Sequence, residues 1–211
     1  MDLKTSSKEQ LILEVAENLF IEKGYTGTKT TEIASDAGVN HALLHYYFRT
    51  KENLFSKIFE QKAIQLLGSF EINVDENSSF FEKLKEGIEA HFEFIRKNPK
   101  LPFFILREIV SDKERKSFIL KNLFPIGKEL LNKYKTVIRN EVRKGNIRSV
   151  KTIDLLLNIV SLNVFTFVAA QIFFDFDSED DQEKINVFLE ERKINNVELI
   201  INSLKTVTSD K

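Results

Sequence analysis

The chain has no cysteine, only three prolines and only seven glycines in 211 residues. Without cysteine there is no disulfide, no thiolate metal site and no cysteine nucleophile, which fits a reducing cytosol. Proline and glycine interrupt the chain rarely, and apolar residues recur mostly at helical spacing, so an all-α fold is expected. An excess of positive charge is also lacking: 31 lysines and arginines oppose 32 carboxylates, for a net charge of −1. The first sixty residues carry seven basic and nine acidic side chains, so bulk charge does not advertise a nucleic-acid partner. The opening MDLKTSSKEQ holds no apolar run, and no signal peptide is expected. There is no glycine-rich phosphate loop, serine elbow or zinc-protease motif, so neither an enzyme nor a cofactor is expected.

What is present is a soluble composition, 42% hydrophobic and 30% charged, with nineteen phenylalanines. One long apolar segment, Ile153 to Phe174, raises the question of a membrane span. It contains Asp154, Asn158, Ser161, Asn163 and Gln171, which are costly in lipid, and a helix buried on nearly all sides is expected instead.

The stretch Thr28 to Phe55, TKTTEIASDAGVNHALLHYYFRTKENLF, reads as two short helices joined by a tight turn and followed by another helix. Gly24 is placed to end the first helix of the chain, and Gly38 to supply a positive φ in the turn. Asn40 is a good N-cap for a helix over Ala42 to Phe48, and Thr50 caps the next. No carboxylate occurs between Ala37 and Lys51, while His41, His45, Tyr46, Tyr47 and Arg49 do. A helix laid into a phosphate-lined groove needs such an acid-free, donor-rich surface. His41 and His45 also have the i, i+4 spacing of zinc ligands, but only Glu32 or Asp36 is near enough in sequence to add a third, and no metal is expected.

Residues from about Gln10 to Phe59 resemble the DNA-binding domain of the tetracycline-repressor (TetR) family, through AENLFIEKGYTGTKTTEIASDAGV followed by NHALLHYYFRTKENLF. The resemblance implies that Thr30 meets a phosphate and Thr31 a base edge. It implies that Asn40, His41, Ala42 and Leu43 form the reading end of the recognition helix, and that His45, Tyr46, Tyr47 and Lys51 hold the DNA backbone. Two positions depart from the family pattern: Leu43 stands where a small hydroxyl residue is common, and His45 where a tyrosine is common.

A helix-turn-helix domain over residues 1–50, a connecting helix over 51–67 and a C-terminal effector-binding and dimerisation domain over 68–211 are expected, about nine helices in all. Ser79 begins a helix that stops at Asn98-Pro99, a break is expected at Pro125, and the acidic run Ser178 to Glu183 reads as a solvated loop. His91, Phe92, Phe103, Asn163, Phe167 and Gln171 are candidate ligand contacts. His91 reads more readily as a satisfied core histidine, and the phenylalanines more readily as core and dimer packing, than as the lining of a cavity. Leu156, Ile159, Val160, Val164, Val197, Ile200, Ile201 and Leu204 are the candidate dimer interface.

The expected protein is a homodimer on double-stranded DNA with a palindromic operator, a transcriptional repressor released by a small, largely apolar effector. It is expected in the cytoplasm and not in a membrane. Control by a protein partner without a small ligand, or a helical interaction module that has lost DNA binding, are the alternative readings.

Overall fold

The structure, a computed structural model, describes residues 3–68, 78–111 and 113–206. Among them are nine α-helices and no strand: α1 (Leu3–Gly27), α2 (Thr30–Asp36), α3 (His41–Phe48), α4 (Lys51–Gly68), α5 (Phe80–Lys97), α6 (Leu101–Ser111), α7 (Lys113–Arg143), α8 (Thr152–Phe173) and α9 (Glu179–Leu204). The polar break expected at Gly68 to Ser79 lies, from 69 to 77, outside the described residues.

The chain divides into two compact units, Met1–Gln65 with Lys100–Phe124, and Leu66–Pro99 with Pro125–Lys211. The linear division expected from sequence is therefore not how the contacts fall, because α6 joins the N-terminal helices.

In the first unit α1 buries Ile12, Leu13, Ala16, Leu19 and Phe20, the i, i+4 and i+8 stripe that an amphipathic helix presents to a core. Helical geometry is interrupted at Gly24, whose φ of 74° and ψ of 173° only glycine adopts without strain. A Cβ there would also lie 3.1 Å from Arg107 Nε and 3.2 Å from a Glu108 carboxylate oxygen. Phe55 and Phe59 of α4 complete the core with Phe104 of α6, ring centroids 5.9 and 6.1 Å from Phe104.

In the second unit Ser79 and Glu82 form a reciprocal capping box that starts α5. One apolar cluster joins Ile88, Ile138, Leu155, Ile159 and Ile200, and a second joins Phe92, Ile95, Phe167 and Leu189. Two sequence expectations are corrected. α7 is a single helix through Pro125, because the helix-forming sequence on both sides outweighs a proline's lost bond and clash, about 3 kcal/mol. The acidic run is not a loop but the first turn of α9, where Glu179, Asp180 and Asp181 meet the positive end of the helix dipole.

Candidate nucleic-acid interface

The turn between α2 and α3 is built from local signals. Gly38 takes a φ of 60°, and the Val39 amide donates to the Ala34 carbonyl at 2.9 Å. Asn40 is the N-cap of α3, and its Oδ1 accepts from the Leu43 amide at 2.7 Å. Leu44 and Phe48 turn inward toward a core that also buries Ile33, Ala34 and Ala37. This leaves His41, Ala42, His45 and Tyr46 on the exposed face of α3, with Leu43 and Tyr47 half-buried at its edges. Tyr46 is 75% exposed, which excludes it from the core and gives that face a phenol hydroxyl.

Thr30 opens α2 after Lys29, which is the N-cap. The Thr30 hydroxyl lies 3.1 Å from His41 Nε2, so the first residues of α2 and α3 are tied together. The imidazole tautomer decides which of the two donates. In either case one hydrogen-bonding function of His41 remains at Nδ1, as a donor or an acceptor, and faces away from Thr30. Thr31 is exposed beside it.

The acid-free surface is reinforced by where the flanking carboxylates go. Glu32 pairs with Lys23, which holds its carboxyl below the ordinary carboxylate range. Glu52 accepts from the Tyr25 hydroxyl at 2.8 Å. Lys51, at the start of α4, stands 4.2 Å above the centre of the Tyr25 ring, a cation–π contact that fixes its direction. Thr50 caps α4, its Oγ1 accepting from the Asn53 amide at 3.1 Å.

Two features of this region escape sequence reading. Arg49 joins α3 to α4 with φ 60° and ψ −49°, and the Thr50 amide donates to the Phe48 carbonyl at 2.6 Å. That is a γ-turn of the strained, positive-φ kind, which no residue preference of arginine announces. The second feature comes from α6. Arg107 donates to the Phe20, Ile21 and Glu22 carbonyls at 2.9, 3.0 and 3.2 Å, satisfying the end of α1, and buried Glu108 accepts from the Tyr25 amide at 3.1 Å. Both contacts span more than eighty residues, beyond any local pattern.

Four of the six residues expected to meet a ligand come together, but in packed core: His91 lies against Asn163, and Phe92 against Phe167 with ring centroids 5.0 Å apart. His91, Phe92, Asn163 and Phe167 are buried in the second unit, Phe103 is half-buried in the first, and Gln171 is exposed on α8 rather than buried. His91 and Asn163 belong to a satisfied polar network. Asn163 Nδ2 donates to the Ile88 carbonyl and approaches His91 Nδ1, each at 3.0 Å, and Asn196 Nδ2 donates to Asn163 Oδ1 at 3.0 Å. Arg192 then donates to Asn196 Oδ1 at 2.8 Å. The second unit instead holds a cavity of about 720 Å³ among α5, α7 and α8, lined by none of those six residues.

The interface expected on α8 and α9 is also corrected. Ile159, Val197, Ile200 and Leu204 face the unit's own core, and Leu156, Val160, Val164 and Ile201 are half-buried. The large apolar side chains left exposed are Ile153, Leu157, Phe165, Ile172 and Phe173 on α8, and Val187, Ile194 and Leu199 on α9. Both faces of α8 are apolar, so helical periodicity cannot tell them apart. By length and composition α8 could cross a membrane, yet its inner face packs on α5 and α9 and carries buried Asn163 and Thr166.

Residues 12–58 match the sequence model of the bacterial regulatory proteins of the tetR family. The fatty acid metabolism regulator protein of Bacillus subtilis is 24% identical over 141 residues, covering 67% of this chain and 71% of that protein. The probable transcriptional regulator YttP of Bacillus subtilis is 33% identical over 116 residues, and there the match spans only 52% of this chain and 54% of the relative. In fold, the chain is similar to the crystal structure of the Bacillus subtilis regulator FadR in complex with stearoyl-CoA. The TM-score is 0.68 at 22% identity, covering 92% of this chain and 98% of that one. Residues 12–58 thus match the tetR family of bacterial regulatory proteins, and the chain as a whole shares its fold with solved structures of tetR-family regulators.

Proposed function

We propose that the protein is a cytoplasmic, homodimeric repressor that binds a palindromic operator through α3 and leaves it when a small, largely apolar effector binds the second unit. The observation that carries the DNA reading is the exposed, carboxylate-free face of α3, with Lys51 and Arg49 beside it. On that face His41 and Ala42 lie in the first turn, where base edges are reached, with Asn40 and Leu43 beside them. Thr30, Thr31, His45, Tyr46, Tyr47 and Lys51 are suited to phosphate oxygens by their hydroxyls and donor nitrogens. Two such helices in a dimer meet successive major grooves about 34 Å apart. An effector that prefers a dimer with another separation shifts the population away from the DNA-bound form. The cavity in the second unit, and the acyl-CoA held by the structurally similar FadR, support a small-molecule effector with an apolar body.

Selection of bound fragments from random DNA tests this, followed by salt titration of the selected site. Replacing Lys51 by alanine is expected to weaken all sequences about equally and to lower the salt slope by about one. Replacing His41 is expected to change which sequences are preferred. Weak, salt-insensitive retention that is unchanged in Tyr46→Ala and Lys51→Ala would overturn the proposal.

A further inference from the structure

We infer that Thr30 sets the tautomer of His41 on DNA, so that His41 reads an exocyclic amino donor, cytosine N4 or adenine N6, in the major groove. The inference deepens the DNA reading above and rests on its placement of Thr30 at a phosphate and His41 at a base edge.

The Thr30 hydroxyl lies 3.1 Å from His41 Nε2, and among the described residues neither side chain has another hydrogen-bond partner. A hydroxyl has one hydrogen to donate and lone pairs with which to accept. In the free chain Thr30 therefore has a choice, to donate to Nε2 or to accept from it. A phosphate oxygen removes the choice, because it only accepts. Once the Thr30 hydrogen is given to a phosphate, the hydroxyl oxygen is left as an acceptor. Nε2 must then carry the imidazole proton to keep the bond. A neutral imidazole protonated at Nε2 is an acceptor at Nδ1.

The place of His41 brings that acceptor to the bases. His41 is the exposed first residue of α3, where the Asn40 cap fixes the backbone by accepting from the Leu43 amide at 2.7 Å. Nδ1 is the ring nitrogen nearer the main chain, and it faces away from Thr30. Ala42 beside it is exposed and has only a methyl group, so the helix end is free to come close to a base edge. In the major groove an acceptor finds the amino groups of cytosine and adenine, and no donor on guanine or thymine. Thr30 is thus a positioning residue. It turns a contact with the sequence-blind backbone into a condition on the base that His41 reads.

Selection from random DNA at pH 8, where an ordinary imidazole is neutral, locates the base pair whose preference is lost in His41→Ala. At that pair the amino group is deleted, with 2-pyrimidinone for cytosine or purine for adenine. The full chain is expected to bind that operator about fivefold to tenfold more weakly, the worth of one hydrogen bond. A 7-deazapurine at the same pair deletes the N7 acceptor and is expected to change affinity by no more than about twofold. Thr30→Val is expected to weaken all sites and to shrink the amino effect to about twofold or less, while Thr30→Ser keeps it. Nitrogen-15 NMR of the complex is expected to show His41 protonated at Nε2 and not at Nδ1. Three results each overturn the inference and leave DNA recognition by α3 standing: a loss on 7-deaza substitution in place of the amino effect, an amino effect unchanged in folded Thr30→Val, or a proton on His41 Nδ1 in the complex. Sequence-specific binding with no base pair relaxed in His41→Ala does the same. Absence of any sequence preference removes both readings.

Discussion

His91 shows how one buried side chain turns into a measurable property. Burial pushes its pKa down to about 4, because no water solvates the imidazolium in the interior of the second unit. Asn163 approaches its Nδ1, so the neutral ring carries its proton on Nε2. An unfolded chain has histidine near 6.5 and binds the proton first as pH falls, so stability is lost from about pH 6.5 downward and the loss is complete near 4. The full effect is at most about 3 kcal/mol. The thermal midpoint is therefore expected to fall between pH 6.5 and 4.5, and His91→Gln to flatten that slope. Glu141, held below the usual range by Asn146 and Lys144, and Glu190, held down by Lys193 and Arg96, stabilise above the ordinary carboxylate pKa. Their contributions disappear only at lower pH, so they do not mask the window. A slope in His91→Gln equal to that of the parent would refute the assignment. From sequence His91 could be core or ligand contact; its partner lies 72 residues away on α8, which is why only the fold decides.

At the scale of the element, α3 is defined by its two ends. The Asn40 cap satisfies one of the orphan amides that open the helix, and the γ-turn at Arg49 closes it against α4. An eight-residue helix has little stability of its own and takes it from Leu44, Phe48 and the cap. Asn40→Ala is expected to destabilise the first unit by about 1 kcal/mol, with Asn40→Asp nearly neutral in stability. Denaturant unfolding measures it, and an unchanged midpoint in Asn40→Ala would show that tertiary packing alone holds α3. Elements written in local chemistry were legible in advance: Asn40, Thr50, the helix start at Ser79, and glycines at 24 and 38. Those settled by competition between distant parts were not. Pro125 is a stop signal that α7 overrides, and the carboxylates of 179–181 look like a solvated loop until a helix dipole is placed behind them. The cavity was illegible for a related reason, since it is assembled from the ends of three helices.

For the whole molecule the deciding feature is the outward side of α8. Phe165 is 64% exposed and Ile172 70%, with Leu157 at 57% and, on α9, Leu199 at 57%. Monomeric proteins rarely leave so many large apolar side chains in the open, and in the proposed homodimer a two-fold axis would cover such a face with its own copy. Leu157→Glu combined with Phe165→Glu therefore places four carboxylates in the proposed dimer contact, two from each subunit, where neither desolvation nor like charge is tolerated. The variant is expected to sediment as a folded monomer. Its affinity for a palindromic operator should fall at least a hundredfold, because each recognition helix must then bind its half-site alone. Affinity for an isolated half-site should stay unchanged, which separates loss of dimerisation from damage to α3. Ile159→Glu provides the contrast. At 3% exposure inside its own unit, that charge should unfold the second unit rather than divide the dimer, and circular dichroism distinguishes the outcomes. A double variant that remains dimeric and keeps full operator affinity would move the interface off α8, and with it the geometry by which an effector could set the spacing of the two recognition helices.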